Sequence, residues 1–245
     1  MSAESSIYTF FGKIFPERAN VNISPIVMNI ENKEAGISGV LKTSIAVSQV
    51  SAQFVCKQKV DNIFTLKNYV EDAIRLQVDV LGYTLSCGYD IEITSMIDSI
   101  GSPQTVFGVN FDDIEEFKKK RPKDFNEIMK LFSDEKGNYL RLCMGDLREA
   151  VRNPKDAGFF CYRAIESLMQ YFTKNGLDRD KTWHKFREDV GVRKEQIEYI
   201  KKFADPVRHG GSIYISPENS KKILNDAWEI VDKYILFASN GYKKI

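Results

Sequence analysis

The sequence predicts an α+β protein, with an N-terminal small mixed β-sheet carrying one main helix and a C-terminal antiparallel helical bundle. Apolar residues of the first hundred positions recur mainly on a period of two, whereas those of the second half recur at helical spacing. The 245 residues suffice for two modest domains with separate cores. We therefore divide the chain into residues 1–112, a connector at 113–136 and a bundle at 137–245.

The N-terminal domain begins with β-rich segments that glycine and proline residues separate. A helix is expected from about Leu66 to Leu85, because Val70, Ile74 and Val78 recur on one helical face. The strands that the alternation predicts are Ile7–Phe11, Asn22–Met28, Gly39–Val47, Val50–Lys59, Tyr89–Ile97 and Thr105–Phe111. Together they predict a small sheet packed on one helix.

The second half reads as a succession of amphipathic helices. Asn153-Pro154 and Ser216-Pro217 each place a capping residue before a proline, which is typical of a helix start. The predicted helices span residues 124–133, 139–152, 155–174, 181–190, 194–203 and 217–238. The connections between them are short, which favours antiparallel neighbours in a bundle.

Composition excludes several classes of protein. There are 35 basic and 34 acidic residues, so no global field attracts nucleic acid and any such contact must be local. No apolar run is long enough for a transmembrane helix, and the amino terminus lacks a secretory signal, so we expect a cytoplasmic protein without a membrane partner. The four cysteines are scattered, which predicts buried free thiols and neither a metal site nor a cofactor.

The segment 205–211, Asp-Pro-Val-Arg-His-Gly-Gly, is the most informative part of the chain. Pro206 predicts a helix break after Phe203, followed by one further turn that the glycine pair ends. Arg208 and His209 would then lie on an exposed turn, where a permanent cation beside an imidazole suits phosphate or ribose. The alternative is that His209 merely caps the preceding helix and Arg208 is a solvated charge.

A second group of polar residues lies on the otherwise apolar helix at 157–172. Arg163, Glu166 and Gln170 follow one another at spacings of three and four, so they share a narrow polar face. Charges on a buried helix are expected to be paired or functional. One interpretation is an Arg163–Glu166 ion pair that fixes helix packing. The other directs Glu166 or Arg163 at His209 across the bundle.

These two segments together resemble the HEPN superfamily. The resemblance covers roughly residues 137–240 and is carried by residues 160–168 (Phe-Cys-Tyr-Arg-Ala-Ile-Glu-Ser-Leu) and by residues 205–210. It implies a small helical bundle of the kind found in RNases, toxins of defence systems and nucleotide-binding modules. It also implies a homodimer and metal-independent cleavage of RNA through attack of the ribose 2′-hydroxyl.

Carried over by residue, the resemblance makes His209, Arg208 and Glu166 catalytic candidates and Arg163, Lys202 and Gln170 substrate-binding candidates. The family arginine precedes its histidine by four to six intervening residues. Of the positions at that spacing, only Lys202 is cationic, whereas Arg208 is adjacent to the histidine. The expected function is therefore a metal-independent endoribonuclease or an RNA- or nucleotide-binding effector of a defence or stress system. The alternative is a catalytically inactive dimerisation and partner-binding protein.

Three further features have simpler interpretations. Trp183-His184-Lys185-Phe186-Arg187 combines aromatic and basic residues, but a helix with Trp183 and Phe186 in the core is favoured over a nucleic-acid contact. The basic run 118–121 follows acidic residues, which indicates a solvated linker. The N-terminal domain is expected to act as a sensor or to bind a protein partner.

Overall fold

The computed structural model describes residues 5–98, 104–108, 123–133, 135–175 and 178–244. The chain forms two compact units, Met1–Phe111 and Asp112–Ile245. An N-terminal sheet and a C-terminal helical region confirm the α+β class. Among the described residues no helix is both long and apolar enough to cross a membrane.

The N-terminal unit is a sheet of six strands in the order β2-β3-β4-β1-β5-β6. A mixed sheet was expected from the sequence, but every described strand pairing is antiparallel. Consecutive hairpins connect β2 to β3 and β3 to β4, which favours antiparallel neighbours because a parallel pair needs a long crossover. The strands are β1 (Ser6–Phe15), β2 (Ile23–Asn32), β3 (Ile37–Ala46), β4 (Gln49–Cys56), β5 (Asp90–Asp98) and β6 (Thr105–Val106).

One helix, α1 (Ile63–Leu85), packs on this sheet. The Asn62 side chain caps it by accepting a hydrogen bond from the Thr65 backbone N–H. Leu66, Val70 and Ile74 are fully buried in the core between helix and sheet, as the helical spacing predicted. The last predicted strand is shorter than expected, since β6 ends at Val106, and residues 109–111 lie outside the described part.

All regular secondary structure in the described part of the C-terminal unit is helical. Its α-helices are α2 (Phe125–Lys130), α3 (Gly137–Arg152), α4 (Ala157–Met169), α5 (Arg179–Val190), α6 (Lys194–Arg208) and α7 (Pro217–Ser239). Short 3-10 segments at Pro154–Asp156 and Gln170–Asn175 flank α4, so the helix predicted for 155–174 is α-helical only in its middle. Helix α4 contacts α3, α6 and α7 and is the central helix of this core.

Helix α2 falls within the segment 113–136 that the sequence assigns to a connector. Asp124 and Glu127 form a reciprocal capping box at its start. Ile128, Leu131 and Phe132 pack against the core of the bundle. The described end of the connector is therefore part of the helical unit. The basic run 118–121 lies outside the described residues.

Candidate functional site

Arg208 and His209 end helix α6, which continues through Pro206. The break expected after Phe203 is wrong, because α6 runs unbroken to Arg208. Phe203 and Ala204 are buried in the bundle core, and this packing keeps the backbone helical where proline cannot donate a hydrogen bond. Arg208 thus extends from a complete helix and not from a separate turn.

A left-handed glycine closes α6 just after His209. Gly210 has φ +79°, so it is the left-handed residue that was expected at one of the two glycines. The Gly211 N–H donates to the Pro206 carbonyl at 2.8 Å, and the Gly210 N–H donates to the Val207 carbonyl at 3.1 Å. These two bonds form a Schellman motif. They fix the backbone from which Arg208 and His209 extend.

Glu166 and Arg208 meet, together with an arginine that the sequence did not indicate. Glu166 Oε1 accepts hydrogen bonds from Arg179 Nη2 at 2.8 Å and from Arg208 Nη1 at 3.3 Å. The three residues come from α4, α5 and α6, and the Glu166 side chain is 18% exposed. One carboxylate and two guanidiniums give these three residues a formal net charge of +1, while the Asp205 carboxylate acts on Tyr162 together with the same three groups.

This ion-pair cluster borders a groove of about 350 Å³. The residues that line it are Glu166, Met169, Gln170, Thr173, Arg179, Thr182 and Arg208. Each guanidinium carries five N–H donors, of which the bonds to Glu166 use one. The arginines therefore have donors available for a second anion in the groove.

Arg163 does not pair with Glu166, so the ion pair that the sequence suggested is wrong. Its guanidinium binds the Asp146 carboxylate of helix α3. It also lies over the rings of Phe159 and Phe160, at 5.3 and 5.1 Å from their centroids. Although Arg163 and Glu166 are three residues apart, they serve different helix contacts. Arg163 is a packing residue between α3 and α4.

Of the other predicted site residues, Gln170 lines the groove, whereas Lys202 and His209 do not. Gln170 lines the groove and is exposed. Lys202 is exposed on α6, with its ammonium 5.6 Å from the centroid of the Phe203 ring. The ring of His209 is exposed, and within the described residues it has no hydrogen bond, ion pair or ring contact. Within a single chain, the described contacts join none of Glu166, Arg163 and Lys202 to the His209 side chain.

Sequence reasoning missed Arg179, although one signal could have found it. Arg179 is the first residue of α5, directly after the capping residue Asp178. A cation at a helix N-terminus opposes the helix dipole, so it is expected to have a compensating partner. Glu166 is that partner, and the chain reversal between α4 and α5 brings them together.

Two aromatic residues and both buried thiols near α4 have a structural role. Tyr162 stacks on Trp183 with ring centroids 6.1 Å apart, and its pKa is raised by burial and by the nearby Glu166 carboxylate. Trp183 and Phe186 are core residues, as favoured above, whereas His184 is exposed. Burial raises the pKa of Cys161, and the same effect raises that of Cys143.

Within the part of the chain that the structure describes, the remaining cysteines and the acidic residues form no further centre. All four cysteines are free, but Cys87 is exposed, which corrects the expectation that every thiol is buried. The described residues contain no group of three or more His, Cys, Asp or Glu side chains that could hold a metal ion.

The fold and the site define a two-unit α+β protein whose helical unit carries an arginine–glutamate groove. Residues 8–107 match the model of the Domain of unknown function (DUF8168) N-terminal domain, and residues 125–239 match that of its C-terminal domain. The N-terminal model matches the first part of the chain and the C-terminal model the second, and together they cover most of it. The chain therefore belongs to the DUF8168 family. No curated protein and no solved structure matches it significantly.

Proposed function

We propose that the helical unit is a HEPN-like module that binds the phosphate of an RNA or a nucleotide in its groove. The observation that carries the proposal is the pair of arginines that both donate a hydrogen bond to Glu166 Oε1. Arginine is suited to phosphate because its planar donors match phosphate oxygens in pairs. A groove of about 350 Å³ lies within the range of small-ligand sites.

The two arginines come to the groove already oriented. Each is restrained by a hydrogen bond to Glu166, and Arg208 is further fixed by the closed end of α6. Orientation before binding reduces the conformational entropy that a ligand must offset. Glu166 therefore acts as a positioning residue, at the cost of one negative charge beside the phosphate.

Binding of a fluorescent RNA oligonucleotide and of a mononucleotide to the full chain tests this proposal. Arg179→Ala and Arg208→Ala should each weaken binding about tenfold, the effect of losing one charge-assisted hydrogen bond. Arg148→Ala is the matched control, because Arg148 is an exposed arginine of the same unit that does not line the groove. Binding should also weaken as salt is raised. Equal affinities of all three variants and the original chain would contradict the proposal.

Removing the negative charge of Glu166 should strengthen RNA binding, whereas removing either arginine should weaken it. Glu166→Gln keeps the size of the side chain and removes the negative charge next to the bound phosphate. We expect tighter RNA binding in the same titration, because both guanidiniums become fully available to the ligand. Weaker binding would indicate that Glu166 contacts the ligand itself or that loss of arginine positioning outweighs the charge effect. Thermal unfolding of the variant separates these effects from misfolding.

Metal-independent cleavage of RNA is a second candidate, for which the supporting observation is that His209 is exposed and directly follows Arg208 at the end of α6. In this reaction the 2′-hydroxyl oxygen attacks the adjacent phosphorus, and the bond to the 5′-oxygen breaks. His209 takes the proton of the hydroxyl and returns it to the leaving oxygen, while Arg208 or Lys202 stabilises the phosphate charge. Incubation with RNA and EDTA should give products that His209→Ala abolishes. Absence of cleavage in both proteins would leave the binding function and remove the enzymatic one.

A homodimer through the bundle and a cytoplasmic location are parts of the same proposal. Two copies would bring two His209–Arg208 pairs to one RNA, which compensates for the isolation of His209 in a single chain. The four free thiols are typical of a reducing compartment. Sedimentation equilibrium of the full chain measures the dimer directly.

A further inference from the structure

Helix α1 is apolar on two opposite sides, and the N-terminal core uses one of them. The inner side, including Leu66, Val70, Ile74 and Val78, is fully buried against the sheet. On the outer side Leu76 is 56%, Val80 55% and Tyr83 87% exposed. A surface helix normally has one apolar stripe and an opposite polar face. Clustered large apolar side chains on the outer face therefore indicate a contact surface.

The outer side chains have the spacing of a helix–helix seam. Tyr69, Ala73, Leu76, Val80 and Tyr83 follow one another at alternating intervals of four and three residues. This interval, averaging 3.5, keeps one stripe facing a partner helix. The first two are half-buried at the edge of the N-terminal core, and the last three are exposed. We call these five residues the α1 seam.

Acidic residues accompany the α1 seam along one flank. Asp72 and Asp79 are exposed, lie seven residues apart and each immediately precedes an apolar position of the seam. On the other flank, Gln77 and Thr84 are uncharged. Flanking charges of a helix pair select the partner by opposite sign. A second copy of α1 offers no positive charge at these positions, whereas lysine or arginine would complement them.

We propose that the α1 seam docks an amphipathic helix of a partner protein that carries lysine or arginine beside its apolar stripe. Leu76, Val80 and Tyr83 supply the apolar contact, with Tyr83 as the aromatic anchor that such interfaces favour. Asp72 and Asp79 select for basic flanks and orient the incoming helix. The proposal assigns the N-terminal unit a protein-binding role that is independent of the groove in the helical unit.

Two synthetic helical peptides serve as probes, both with leucine at the seam positions, one with lysine and one with glutamate at the flanks. Fluorescence anisotropy with the full chain at low salt should show the lysine peptide binding about tenfold more tightly. Val80→Asp combined with Tyr83→Asp should weaken that binding about tenfold. Asp72→Lys combined with Asp79→Lys should reverse the preference between the peptides.

Val27→Asp is the matched control, because Val27 is 63% exposed on strand β2 of the same unit and lies outside the α1 seam. This variant should bind the lysine peptide as the original chain does. Equal binding of both peptides, or full binding by the seam double variant, would overturn the proposal. A dimer in sedimentation equilibrium that the seam double variant dissociates would also overturn it, in favour of a second copy as the occupant.

Discussion

At Gly158 the backbone of α4 lies directly against α6. A β-carbon at this position would lie 2.6 Å from the β-carbon of Phe203 and 3.0 Å from its carbonyl carbon. Such distances are far shorter than a van der Waals contact, so a side chain fits only if the helices separate. Gly158 thereby determines how near α6 approaches the helix that carries Glu166.

Gly158→Ala should lower the free energy of unfolding by about 1–3 kcal/mol, the range for overpacking a core. Urea unfolding followed by circular dichroism measures it. Gly145→Ala is the control, because Gly145 lies in helix α3 with open space around its β-carbon position. That change should raise the free energy of unfolding by about 0.5–1 kcal/mol, since alanine is the better helix former. A stabilising effect at Gly158 would show that the contact is looser than described.

Helix α6 shows how an element can present a functional residue at its end. The Pro206 ring removes one backbone donor inside the helix, yet the segment stays helical and ends in a Schellman motif. The left-handed Gly210 is essential to this ending, because a β-carbon at positive φ is strained. The position of the Arg208 guanidinium thus depends on the ending of the helix as well as on Glu166.

Gly210→Ala should therefore destabilise the chain by about 1–2 kcal/mol. Gly210→Asn should cost less, because asparagine adopts the left-handed conformation more readily than other residues with a side chain. The midpoint of urea unfolding of the two variants tests this order. Equal stability of the alanine variant and the original chain would mean that the backbone at Gly210 relaxes without loss.

The stability of the whole molecule should be greatest near neutral pH. Backbone and side-chain hydrogen bonds from Lys181 lower the pKa of Asp178, and the Lys244 ammonium lowers that of Glu188. Because these folded-state values lie below those of the unfolded chain, their contribution is present above about pH 4 and is lost as the pH falls through the lowered values. Melting temperatures should therefore decrease on acidification.

The buried thiols should set the alkaline limit. Burial raises the pKa values of Cys143 and Cys161, so the folded chain keeps both protons where the unfolded chain loses them above about pH 8.5. Stability must then fall as the pH rises through that value. Cys143→Ala combined with Cys161→Ala should reduce the slope of melting temperature against pH between about 8 and 9.5, before tyrosine ionises. An unchanged slope would exclude the thiols as the cause.

The sequence by itself determined the α+β class and most helices, because the burial of one face imposes a local periodicity that can be read along the chain. It also indicated Glu166, since charges on a buried helix require a partner, and Arg208, as a permanent cation next to an imidazole. It misplaced the end of α6, because the local effect of Pro206 was outweighed by the packing of Phe203 and Ala204.

Only the tertiary structure decided which charges meet. Arg163 turns to Asp146 and Arg179 reaches Glu166, and these pairs are separated by 17 and 13 residues. Similarly, no local pattern placed β1 between β4 and β5 in an antiparallel sheet. Periodicity reports whether a residue is buried, whereas its contact across the core depends on how the helices and strands cross, and those crossings are fixed only when all elements pack together.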